Sequence, residues 1–142
     1  MGNASWLFFA VPSWYWSTIF APVGAGPLSA IPAIGGLSLA IGVVVGLAKR
    51  ATSLWLFLLL PAASQLFVAI AGFLRGAFQH DPNNVAGWVV CTFLLLQLVG
   101  AAYIVWRSAG ARWPAAAIAL FTSSYALFAA FVAGMAFADD WL

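Results

Sequence analysis

The chain has 142 residues, 65% of them apolar, 16% aromatic and only 6% charged, with a formal net charge of +2. An average soluble domain is about one-quarter charged. Eight charged side chains (Lys49, Arg50, Arg75, Asp81, Arg107, Arg112, Asp139 and Asp140, with no Glu) do not cover the surface of one this size. The composition excludes a free soluble globular domain and a disordered chain alike, and it leaves a polytopic membrane protein. The expected fold class is therefore all-α, an integral membrane helical bundle forming a single domain.

The first segment, residues 5–22, is rich in aromatics (Trp6, Phe8, Phe9, Trp14, Tyr15, Trp16 and Phe20) and carries Pro12 inside it. Two readings stay open: a kinked span, or an interfacial or re-entrant segment. Its small polar residues are Ser and Thr rather than charged ones. No Lys or Arg occurs before Lys49, so the positive start of a cleavable signal peptide is missing. The sequon Asn3-Ala4-Ser5 and the partial acylation pattern behind Met1-Gly2, spoiled by Trp6, are both weak signals.

Four long apolar runs follow, expected as transmembrane helices at about 28–48, 54–74, 86–106 and 114–138. The first three of them are 21 residues each, which as helices cover about 30 Å, the thickness of the hydrocarbon layer. Charges and polar residues punctuate them: Lys49-Arg50 after the first, the stretch from Arg75 to Asn84 after the second, Arg107 to Arg112 after the third, Asp139-Asp140 after the last. Pro114 opens the final run, where its missing N–H costs nothing. Trp55, Trp88, Trp106, Trp113 and Trp141 fall near the run ends, as ring systems that sit at headgroup level do.

The short turns at 49–53 and 107–113 carry Lys49, Arg50, Arg107 and Arg112, whereas the other side carries Arg75 as its one basic residue. The excess of basic charge predicts that both turns are cytoplasmic and that the 75–85 loop and the C-terminus face the opposite side of the cell membrane. Small residues recur every four positions at Ser38, Gly42 and Gly46, and at Thr122, Ala126, Ala130, Gly134 and Ala138. Such stripes let helix backbones approach closely. Packing within the bundle is the favoured use, and a homo-oligomer or hetero-subunit seam through Ser38, Gly42, Gly46, Ala126, Ala130 and Gly134 is the other.

Much chemistry is excluded. No charged residue lies within the four runs, so proton relays, pumps and acidic pore rings lack their groups. One His and one Cys (His80 and Cys91) do not make a metal site, and no cofactor is expected. The basic residues form no stripe for nucleic acid. The bilayer itself is the expected partner.

Two polar constellations remain. His80, Asp81, Asp139 and Asp140 are expected on one face, where an imidazole beside carboxylates suits acid–base catalysis on a lipid or isoprenoid. Ordinary headgroup-level polarity is the blander account of the same residues. Inside the membrane, Gln65 and Gln97 lie near mid-span, where an interhelical hydrogen bond between them satisfies both amides. With Tyr103, Trp14 and Trp16 they make the candidate ligand-binding set for a neutral cavity. The leading expectation is an accessory or assembly subunit of a larger membrane complex. An integral membrane enzyme or binding protein for a lipid-like substrate, and a carrier or channel for a neutral solute, are the rivals.

Overall fold

The protein is described by a computed structural model that covers residues 12–13, 15, 30–48, 52–74, 77–78 and 83–138. Its elements are α1 (Ala30–Ala48), a 3-10 segment (Thr52–Leu58) leading into α2 (Leu59–Phe73), α3 (Val85–Arg107) and α4 (Arg112–Ala138). Among the described residues there is no strand.

Among the described residues, three helices are long and apolar enough to cross a membrane: Trp55–Phe73, Val85–Arg107 and Arg112–Ala138. Among the described residues, α1 adds a shorter apolar stretch, Ile34–Ala48. The expectation of four spans is thus met for three, and residues 5–22 lie, apart from Pro12, Ser13 and Tyr15, outside the described residues.

Pro61 explains the 3-10 segment. Proline has no N–H to offer the carbonyl four residues back, and its ring crowds that carbonyl. The turn before Pro61 winds more tightly instead, and the α-helical ladder takes over through Leu59–Phe73.

The architecture is built around α4. Helices α1, α2 and α3 all pack on it, and α2 and α3 meet each other more narrowly, through the stacked rings of Phe67 and Phe93 with centroids 4.0 Å apart. A helix with neighbours on three sides needs small residues on more than one face. Accordingly Ala115, Ala126, Ala129, Ala130, Ala133 and Ala136 of α4 are all buried. Half of α4's apolar window is buried, against 17% for α3, which leans on the bundle from one side.

Gly42 shows how close the helices come. A Cβ there would sit 2.5 Å from Ile118 Cγ1 and 3.0 Å from the Pro114 carbonyl oxygen, so glycine is what lets α1 lie against the start of α4. Ser38 and Gly46 are buried on the same helix. Ser38, Gly42 and Gly46 of α1 and Thr122, Ala126 and Ala130 of α4 are thus buried within the chain, whereas Gly134 is half-buried with open space beside it and Ala138 is exposed.

The turn between α3 and α4 is a tight hairpin. Ser108 ends α3 with its N–H donating to the carbonyls of Ile104 and Val105, and its hydroxyl donates to Ile104 O at 2.8 Å. Gly110 then adopts φ +88°, the left-handed region in which a Cβ is penalised. At the other end of α3, Asn84 precedes the helix at φ 52°, a conformation that asparagine tolerates better than most residues.

Candidate functional site

Hydroxyl groups in the helices first satisfy themselves. Ser38 donates to Ile34 O and Gly35 O, Ser64 to Leu60 O and Thr122 to Ala119 O. Each bond returns to the preceding turn of its own helix, as a hydroxyl in an apolar surrounding must when no other acceptor is near.

Two longer connections are different. Tyr15 is fully buried, and its hydroxyl lies 2.5 Å from Ser124 Oγ on α4. Ser124 spends its own proton on Phe121 O at 2.8 Å. A hydroxyl has one proton to give, so Tyr15 is the donor and Ser124 the acceptor. The Tyr15 ring stands edge-on to Phe121, Tyr125 and Phe128, with centroids 5.9, 4.9 and 5.8 Å away. These are favourable aromatic geometries.

The second connection runs from Gln65 on α2 to the Tyr125 hydroxyl on α4. Gln65 Nε2 donates to it, and Gln65 Oε1 is buried with no hydrogen-bond partner among the described residues. The same holds for Gln97 Oε1 on α3. The expected Gln65–Gln97 bond is thus not made: Gln65 turns to Tyr125 on α4 instead.

Gln97 is 7% exposed and lines a cleft of about 360 Å³ between α3 and α4, whose walls are mostly Leu94, Leu98, Leu120 and Leu127 with Ser123 and Ser124 beside them. A second cleft of about 540 Å³ adjoins it along the same seam, sharing Leu98, Leu120 and Ser123 and ending at Trp106 and Arg112. Apolar walls with a few polar groups suit binding and positioning.

Of the ligand-binding candidates, Gln65 pairs with Tyr125 and Gln97 lines the cleft between α3 and α4. Tyr103 is 51% exposed and accepts a hydrogen bond from Arg107 Nη1 at 3.1 Å. The catalytic candidates His80, Asp81, Asp139 and Asp140, and the ligand candidates Trp14 and Trp16, lie outside the described residues. Among the described residues no group of three His, Cys, Asp or Glu comes together. Tyr15 is the residue that the sequence reading of polar groups misses. A tyrosine in an apolar run whose hydroxyl must find a partner is the signal that marks it.

The four described tryptophans of the run ends are all exposed, from Trp55 at 68% to Trp113 at 82%. They point out of the bundle and line no enclosed pocket, as belt residues do. Comparison with models of protein families, with curated proteins and with solved structures finds no match.

Proposed function

We propose that the chain is a multi-pass membrane protein that serves as an accessory or assembly subunit of a larger membrane complex. The observation that carries this reading is the one-sided support of α3. It leans on α4 and leaves Leu95, Leu96, Val99 and Tyr103 outward, with an apolar face long enough to run the depth of a bilayer. The interior around α4 is filled by alanine and aromatic packing, and the charged residues among the described ones, Arg107 and Arg112, sit at helix ends. A body of this kind holds neighbours in place and offers little to a reaction.

In this reading α1 is a fourth span and residues 5–22 form a fifth, kinked helix, because Tyr15 is anchored deep on α4. The basic turns 49–53 and 107–113 face the cytoplasm, with the 75–85 loop and the C-terminus opposite. The experiment is purification of the tagged full chain in mild detergent. Co-purification of a stoichiometric membrane partner, lost in harsher detergent, supports the proposal, and a monodisperse chain without a partner sinks it.

A second reading is favoured by Gln97. An amide oxygen buried without a partner among the described residues, beside an apolar cleft, suits a protein that orients a neutral lipid-like ligand. Retention of one defined neutral lipid by the purified chain, abolished in Gln97→Leu, would decide for it.

A further inference from the structure

We infer that the seam between α3 and α4 is a binding site for one anionic phospholipid, with its phosphate on Arg112 and one acyl chain in the groove below. The inference rests on the membrane-spanning reading and is independent of whether the chain has a protein partner.

Arg112 stands where two clefts meet. On one side is a recess of about 310 Å³ at the hairpin turn, bounded by Ala109, Gly110 and Trp113. On the other is the groove of about 540 Å³, floored by Ala101, Ala116 and Ala119 and flanked by Trp106. The first has the position and size for a headgroup, the second for a chain.

Charge complements this shape. Arg112 has no ion pair or hydrogen bond to its side chain among the described residues, whereas Arg107 next to it bonds the Tyr103 hydroxyl. A guanidinium presents a fork of donors that matches phosphate oxygens. Arg112 also begins the 27-residue α4, whose dipole is positive at this end and adds to the attraction. Trp106 and Trp113 on either side mark the headgroup level.

The length fits as well. The groove runs down α4 from Arg112 to Ser123, which at the helical rise is about 16 Å, close to half the thickness of the hydrocarbon layer, about 15 Å. The alanines that floor it leave a furrow between the helices instead of a flush surface. A lipid in the leaflet next to the basic turns would lay one chain along it.

The test uses the purified full chain in detergent, analysed by native mass spectrometry with dioleoyl phosphatidylglycerol or dioleoyl phosphatidylcholine. The expected result is one preferentially retained phosphatidylglycerol, with the preference cut about fivefold by Arg112→Gln and kept by Arg112→Lys. Ala116→Leu, which fills the exposed groove, should lower retention of both lipids. An unchanged phosphatidylglycerol preference in Arg112→Gln overturns the headgroup assignment. Competition by inorganic phosphate or a dihexanoyl lipid as effective as by the long-chain lipid overturns the chain groove. Efficient disulfide cross-linking of Ala102→Cys between two copies would assign the groove to a second chain and overturn the proposal as a whole.

Discussion

The hydroxyl of Tyr15 lies 2.5 Å from Ser124 Oγ, joining positions 109 residues apart. This contact ties the aromatic N-terminal segment to the centre of α4, and the ring adds edge-on contacts with Phe121, Tyr125 and Phe128. Removing the hydroxyl in Tyr15→Phe should cost about 1 kcal/mol, the net worth of one buried hydrogen bond. Removing the ring in Tyr15→Ala should cost about 3–5 kcal/mol. Thermal unfolding of both variants in the same detergent checks this. Equal losses in the two would show that the ring does not pack as described.

Gly42 allows α1 to approach α4, and the cost of a side chain there follows from the distances. In Gly42→Ala the new methyl meets Ile118 Cγ1 at 2.5 Å, which a rotamer change can relieve, and the Pro114 carbonyl at 3.0 Å, which only a backbone shift can. A destabilisation of about 1–3 kcal/mol is expected, typical of overpacking. Gly42→Leu should disrupt the α1–α4 contact outright, read as protease sensitivity of the 49–53 turn. Gly134→Ala is the control: with open space beside it, it should be neutral or slightly stabilising through helix propensity.

How far the sequence anticipates the structure depends on the kind of feature. Apolar runs bounded by charge locate helices, because length and hydropathy are local properties; the runs at 86–106 and 114–138 coincide with α3 and α4 to within a residue or two. The four-residue spacing of small residues on the last run also reports a local fact, and α4 is the helix that the others surround. Partner choice is not local. Gln65 and Gln97 look like mutual partners by depth, but Tyr125 of α4 captures Gln65. For the same reason Tyr103, at a helix end beside Arg107, looks inward-facing from the sequence and is bonded on the outside.

Gln97 gives a prediction with a sign. Its Oε1 is buried without a partner among the described residues, and such a group costs about 1–3 kcal/mol. Replacing it with leucine of similar volume removes that cost. Gln97→Leu should therefore raise the thermal stability of the isolated chain in detergent. A loss of stability would mean that Gln97 is satisfied in the folded protein by a ligand or a neighbour. Gln65→Leu should behave oppositely or cancel, because it also takes a donor from Tyr125.

The hairpin at Gly110 supplies the last test. Its φ of +88° is available to glycine and strained for an L side chain, although no atom crowds the position. Gly110→Ala should cost about 1–2 kcal/mol from backbone strain alone. Gly110→Asn should cost less, since asparagine adopts left-handed conformations more readily. The ordering glycine, asparagine, alanine in unfolding temperature is the check. The hairpin also bounds the recess beside Arg112, so the same series should weaken phosphatidylglycerol retention in parallel if the turn shapes the headgroup site. A stability loss without any change in lipid retention would separate the turn's structural role from the recess it borders.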